Sequence, residues 1–458
     1  MATESAPAND RLPRQIPYII GNEACERFSF YGMRNILTVF LIDYLLVHQS
    51  PDTGVREGAA KGIFHLFVSG VYFFPLLGGF LADRFIGKYR VILWLSLLYV
   101  AGHACLAIFE EVPAGFYAGL ALIALGSGGI KPCVAAMVGD QFTEENKHLV
   151  KKVFAMFYWS INFGSFFASL LIPKTLKLYG PAVAFGIPGV LMAIAVLVFW
   201  LGRRHYVEVP PTGHNPHSFL RVVGSALRRR KSGEHWLDGA REAHPEGAVE
   251  GAKAVFRVLA VFAPIPFFWM LFDQKASTWV VQAKKMDPWI FGWKFEPSQM
   301  QLVNPALVMM FIPLTAGVVY PAFKRGGYEL TSLRRMTIGM VIGALSYVVA
   351  GGLEIMIERG AYLSILWQIA PYVLLTTAEI LVSTTGLEFA YSQAPREMKG
   401  TIMSLWSLTV TAANLAVALA AWLNVFTGSA QFFFYAALAL CAGVALGFIA
   451  RTYKVVDY

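Results

Sequence analysis

Charge is scarce in this chain. Only 15% of its 458 residues are Asp, Glu, Lys or Arg, and 56% are hydrophobic; a soluble domain carries about a quarter charged residues. Mean hydropathy is +0.54, which excludes a water-soluble two-domain enzyme and leaves a polytopic membrane protein. Cysteine is scarce as well. The four present (Cys25, Cys105, Cys133 and Cys441) all fall in apolar stretches, so they read as small buried side chains rather than a disulfide framework or metal site. The nine histidines show no paired ligand spacing within apolar runs, and most lie in one polar stretch. Metal chemistry and an activated nucleophile are therefore not expected, nor is any cofactor. The net charge of +9 does not point to nucleic acid, because the Lys and Arg concentrate in loops of one parity. No cleavable leader is expected, since residues 1–16 are polar and the first apolar run is too long for one.

Long apolar runs are abundant. They fall at about 17–47, 58–82, 91–109, 113–139, 152–173 and 181–201, then at about 255–283, 299–323, 335–356, 361–394, 400–426 and 429–450. Each is long enough for a hydrocarbon core of about 30 Å. Six spans precede and six follow a polar stretch at 202–254. The expected organisation is an N-terminal six-helix bundle at 1–201, a linker at 202–254 and a C-terminal six-helix bundle at 255–458. Lys and Arg cluster on the side shared by both termini and the linker, which the positive-inside rule places in the cytoplasm. Within the linker, Ser218 to Lys231 mixes Phe219, Leu220, Val222, Val223 and Leu227 with four arginines. It reads as a helix on an anionic membrane surface or as a plain basic linker.

The first span carries Glu23, Glu26, Arg27 and Arg34 in an otherwise apolar run. Each costs roughly 2.5–3.5 kcal/mol at a helix centre on insertion scales. Separations of three, four and seven put them on one helical face, which must meet water, a cavity or a partner helix rather than lipid. That pattern marks a proton or solute path; a static ion-pair network holding spans 1 and 4 together is the competing reading.

Between spans 2 and 3 runs Gly78-Gly-Phe-Leu-Ala-Asp83-Arg84-Phe-Ile-Gly87-Lys-Tyr-Arg90. This resembles the cytoplasmic gating motif of the major facilitator superfamily, whose plan is two six-helix bundles joined by a cytoplasmic loop. The expected fold is therefore all-α and integral to the membrane, with 12 transmembrane helices in two pseudo-two-fold-related bundles. In that plan spans 1, 4, 7 and 10 line a central cavity. Almost all the remaining charges away from span ends fall on those spans, Lys131 on span 4, Asp273 and Lys275 on span 7, Glu379 and Glu388 on span 10, with Arg257 at the start of span 7 a snorkelling candidate. Arg34 and Lys131 against Glu379 would suit a zwitterion, such as an amino acid or short peptide. Tyr31, Tyr72, Trp159, Trp279 and Trp406 are aromatic candidates, and Asn162 and Asn304 are buried amides that need partners.

Several stretches together resemble the proton-coupled oligopeptide transporters. They are Glu23-x-x-Glu26-Arg27-Phe28 with Tyr31-Gly32, Gly128-Gly-Ile-Lys131-Pro132 with Asp140-Gln-Phe142, and Phe157-Tyr-Trp-Ser-Ile-Asn162. Phe272-Asp-Gln274 and Gly386-Leu-Glu-Phe-Ala-Tyr-Ser-Gln-Ala-Pro395 complete the set. The resemblance implies a bacterial plasma-membrane symporter that imports di- and tripeptides with protons and works as a monomer. It implies that Arg34 and Lys131 hold the peptide carboxylate, and that Glu379 with Asn162 and Asn304 holds the amino terminus. Tyr31 and Tyr72 would contact the backbone, and Trp279 and Trp406 would wall the side-chain pockets. Glu23, Glu26 and Arg27 would couple the proton together with Lys131 and Glu379. Asp83, Arg84, Asp140, Asp273 and Glu388 are gating or structural candidates, as is Arg396.

Two positions depart from the family pattern. Phe30 stands where many members have tyrosine, and Lys275 where a small or amide residue is common. Plant relatives that share the first motif carry nitrate or other solutes, so an anion transporter is the rival reading. Glu379 argues against it.

Overall fold

The computed structural model describes residues 12–456 except 144, 214, 230–234, 394, 396 and 397. Arg396 and the end of the basic segment after Arg229 lie outside the described residues.

Twelve long helical elements run through the described chain, at the places the apolar runs predict. The first is α1 (Ile16–Phe40), continued by a π-helical turn. Then come α2 (Thr53–Leu81), α3 (Lys88–Ile108), α4 (Pro113–Asp140), α5 (Val150–Tyr179) and α6 (Pro181–Leu201). After the linker helix α7 (Phe219–Arg228), the seventh element is built from α8 (Glu246–Phe262), α9 (Ile265–Asp273) and α10 (Thr278–Lys284). The eighth is α11 (Val303–Leu314) and α12 (Tyr320–Arg325) around a π turn, and the ninth α13 (Ser332–Glu358). The tenth is α14 (Ile369–Glu379) with α15 (Thr385–Ser392), followed by α16 (Lys399–Trp422) and α17 (Gly428–Thr452). Among the described residues ten elements are long and apolar enough to cross a membrane, and the bent α8–α10 run makes an eleventh. The first element carries five charges, Glu23, Glu26, Arg27, Arg34 and, in its π turn, Asp43.

The seventh element differs from the continuous run at 255–283 expected from hydropathy. It is helical from Glu246, then turns by 50° at the break after Phe262. Pro264 lies in the break and Pro266 just after it; proline withholds a backbone donor and its ring clashes with the preceding turn. The linker helix is also shorter than the 218–231 segment, ending at Arg228. The cysteine expectation holds only for Cys133. Cys25 and Cys105 are half-buried and Cys441 is exposed, because a side chain in an apolar span can face lipid as readily as protein.

By contact density the chain divides into two compact units. One comprises Met1–Gly213 and Ala276–Met309, the other His214–Lys275 and Met310–Tyr458.

In the first unit α2 and α4 approach closely. A Cβ on Gly78 would stand 2.1 Å from the Gly129 carbonyl oxygen, and one on Gly128 would stand 2.7 Å from that of Val71. Phe40 packs on Phe116 and Phe185, with ring centroids 4.7 and 4.9 Å apart. Asp52 starts α2 by accepting hydrogen bonds from the backbone N–H groups of Gly54 and Val55. After α10, strands β1 (Trp289–Ile290) and β2 (Trp293–Lys294) pair antiparallel. Their turn residues Phe291 and Gly292 have φ of 47° and 82°, the doubly positive geometry of a tight hairpin.

In the second unit Trp406 of α16 packs against Phe262 and Trp269, with centroids 5.3 and 6.1 Å away. Tyr347 of α13 donates to the Leu271 carbonyl at 2.7 Å. A small helical cluster precedes the seventh span. There Val222 and Ala226 of α7 bury against Leu237, Ala240, Ala248, Val249 and Ala252.

Candidate functional site

The face of α1 predicted to be charged is buried against protein. Glu23, Glu26 and Arg27 are 3%, 1% and 8% exposed. Arg27 Nε donates to Glu23 at 2.6 Å and lies 2.7 Å from a Glu26 oxygen. Ser127 of α4 donates to the other Glu26 oxygen at 3.2 Å. The cluster therefore bridges α1 and α4 through one guanidinium, two carboxylates and a hydroxyl. Such groups stay charged in an apolar span only when paired and hydrogen-bonded. Adding or removing one proton here changes the balance of ionic contacts on α1 beside the Ser127 hydrogen bond that ties it to α4.

Lys131 follows one turn along α4, just before Pro132. Its ammonium lies over two rings, 4.7 Å from the Phe30 centroid and 4.5 Å from that of Tyr72. Phe30 therefore gives an aromatic face to the cation, where a tyrosine would add a hydroxyl. Arg34, two turns beyond Arg27, is buried with its guanidinium 5.2 Å from the Phe64 ring. Tyr31 sets its ring edge-on to Phe30. These contacts bring Tyr31, Arg34, Tyr72 and Lys131 into the neighbourhood of the α1 cluster, within one unit. Asn162 is buried on α5 and donates to the Tyr158 carbonyl of its own helix at 2.9 Å. Trp279 is fully buried on α10, and Asn304 is buried near the start of α11.

Asp140 is paired with Lys88 at 2.5 Å, joining the end of α4 to the start of α3. Asp83 is exposed in the π turn that ends the second element. Its backbone carbonyl accepts from the Thr212 N–H at 2.8 Å. Arg84 stacks on Phe80 at 5.5 Å.

In the second unit Asp273 is buried and accepts from the Asn414 amide at 2.8 Å. The Lys275 ammonium lies 3.3 Å from the Phe272 ring centroid. Glu379 is half-buried and is the last residue of α14, directly before a π-helical turn at Ile380–Thr384. π turns inside helices are frequent at functional positions. Glu388 is exposed, 3.5 Å from Arg335. Trp406 is buried among aromatic rings.

Sequence reasoning passed over three participants. Asn414 is the amide that meets Asp273; it interrupts an apolar span, the same signal that singled out Asn162 and Asn304. Ser127 lies between two glycines of the fourth span, where its hydroxyl drew no attention. His65, isolated in sequence, shares a 2.8 Å hydrogen bond with Ser277.

The POT family profile (PTR2) matches residues 89–433. A crystal structure of an auto-inhibited POT family peptide transporter is 48% identical, with a TM-score of 0.92 over 97% of this chain and 98% of that one. The POT family transporter PepTSo is 49% identical, with a TM-score of 0.92 over 98% and 99% of the two chains. Among curated proteins, solute carrier family 15 member 2 of Mus musculus is 39% identical over 76% of this chain and 49% of its own length. Peptide transporter family 1 of Drosophila melanogaster is also 39% identical, over 76% and 49%. The chain spans about half the length of the curated relatives it matches. A profile match over most of the chain, joined to near-complete agreement with solved relatives, establishes a multi-pass membrane protein that belongs to the POT family.

Proposed function

We propose that the protein is a proton-coupled symporter that imports di- and tripeptides across the plasma membrane of a bacterial cell by alternating access. The observation that carries this reading is the buried Glu23–Arg27–Glu26 cluster, tied by Ser127 to the helix that bears Lys131. A proton added to one carboxylate removes a charge that Arg27 holds, and so alters the link between α1 and α4. Lys131 and Glu379 act with this cluster in coupling.

Arg34 and Lys131 receive the peptide carboxylate, since both are cations placed against aromatic rings of the first unit. Glu379 receives the ammonium, with Asn162 and Asn304 as amide partners. Tyr31 and Tyr72 contact the peptide backbone, and Trp279 and Trp406 border the side-chain pockets. Asp83, Arg84, Asp140, Asp273 and Glu388 control opening and closing. Residues 1–201 and 255–458 are the transporting halves, 202–254 their linker, with both termini and the linker cytoplasmic. The protein works as a monomer, needs no cofactor or metal, and takes the proton as co-substrate. The names of its relatives, peptide transporters and a structure of a proton-dependent oligopeptide family member, support this reading.

The test is uptake of labelled di- and tripeptides into proteoliposomes under an imposed inward proton gradient. Accumulation should follow the gradient, and Glu23→Gln or Glu26→Gln should abolish it while peptide counterflow persists. Full gradient-driven accumulation in both variants would refute the coupling assignment. Nitrate that competes with di-alanine for uptake would replace the peptide reading with an anion one.

A further inference from the structure

The linker helix α7 presents two unlike surfaces. Val222 and Ala226 are buried in the small cluster before the seventh span. On the other side Leu220 and Leu227, seven residues apart, are 78% and 67% exposed. Seven residues is two helical turns, so these leucines form one stripe, with Gly224 between them. Arg221 and Arg228 repeat the same spacing one residue on and are also exposed. They form a cationic ridge along one edge of the leucine stripe.

The acidic side chains nearby are engaged elsewhere. Asp238 pairs with Arg241 and Lys253, Glu246 and Glu250 with Arg241, and Glu242 with Arg229. Among the described residues no carboxylate pairs with Arg221 or Arg228. The apolar stripe and its cations thus stand ready for an outside partner of opposite charge.

Depth identifies that partner. The α7 core packs on Ala248, Val249 and Ala252 of α8, which continues into the seventh span. Ala252 and Val249 precede the start of the apolar run at about 255 by roughly 4.5 Å and 9 Å of helix rise. The headgroup layer outside the hydrocarbon core is about 5–8 Å thick on each side. Helix α7 is therefore held from within the headgroup layer to its outer edge, where exposed leucines beside arginines match an interfacial helix.

We infer that α7 docks on the bilayer surface, with Leu220 and Leu227 entering the interface and Arg221 and Arg228 binding anionic phospholipid headgroups. Neither the peptide substrate nor the proton enters this argument; it rests on helix α7 and on the seventh element crossing the membrane.

The full-length protein carrying Gly224→Cys, with Cys25, Cys105 and Cys441 replaced by Ala, is labelled with an environment-sensitive fluorophore. It is then reconstituted in phosphatidylcholine vesicles with and without a quarter phosphatidylglycerol. The docked helix should show quenching by headgroup-region spin-labelled lipid, poor quenching by aqueous iodide, and stronger docking in the anionic vesicles. Arg221→Gln and Arg228→Gln should each weaken the anionic preference about fivefold, as a surface-bound cation does, and 1 M salt should remove it. Full iodide access with no lipid quenching in either vesicle would overturn docking. Equal lipid quenching in both vesicles would overturn the anionic headgroup as the partner. The readout is independent of transport, so a different substrate would leave it unchanged.

Discussion

The Nε of Arg27 lies 2.6 Å from a carboxylate oxygen of Glu23, one helical turn earlier on the same buried face of α1. A second carboxylate, Glu26, shares that nitrogen at 2.7 Å. Removing the cation strands two buried anions, whereas removing either carboxylate leaves Arg27 with one partner. Arg27→Gln should therefore lower stability more than Glu23→Gln, by about 3–5 kcal/mol if the remaining charges stay ionised. Thermal unfolding in detergent at neutral pH reads the order directly, and equal losses would contradict the shared-cation geometry.

Gly78 and Gly79 are adjacent in sequence but differ in surroundings. A Cβ at Gly78 meets the Gly129 backbone at 2.1 Å, and one at Gly79 meets nothing within 4 Å. Backbone cannot move aside as a flexible side chain can, so Gly78→Ala must push α2 from α4. The expected cost is about 1–3 kcal/mol. Gly79→Ala should instead gain about 0.5–1 kcal/mol through helix propensity. The pair forms an internal control, with the sign of the two melting shifts as the measurement.

The spans were legible in the sequence because hydrocarbon thickness sets a length that hydropathy records directly. The charged face of α1 was legible too, since four ionisable residues at helical spacing have few places to go. What the sequence concealed was pairing over distance and local backbone breaks. Nothing in the spacing links Asp273 to Asn414, 141 residues away. The π turns holding Asp83 and following Glu379 insert extra residues into helices without any composition signal. Pro264 was visible, yet hydropathy alone read through it. Phe291 occupies a positive φ that favours Gly or Asn, so the hairpin tip was not predicted.

The Asp273–Asn414 contact ties α9 to α16 inside the second unit. A hydrogen bond to a charged group contributes about 1.5–3 kcal/mol, so Asn414→Ala should destabilise by that order. Asp273→Asn should weaken the same contact, and the double variant should cost less than the sum of the two. A double-mutant cycle from chemical unfolding measures the coupling, expected at about 0.5–3 kcal/mol for residues in contact. Strict additivity would show that the two side chains act independently.

His244 places its Nδ1 3.0 Å from that of His217 and its Nε2 2.8 Å from the Ser225 hydroxyl on α7. This clamps α7 to the turn before α8, outside the membrane spans. Burial, then the neighbouring His217, lowers the His244 pKa, and the Arg229 and Arg221 cations act in the same direction against a backbone hydrogen bond at Arg221. The folded form thus binds this proton less readily than the unfolded one. The stabilisation is present above the unfolded value of about 6.5 and is lost as pH falls through the lower folded value. Hydrogen exchange across residues 217–229, corrected for intrinsic rates, should be slow at pH 7.5 and several-fold faster below pH 6. His244→Gln should flatten this pH dependence by removing the titrating ring. Unchanged protection of α7 across that range in the unaltered protein would show that the histidine pair does not hold the helix.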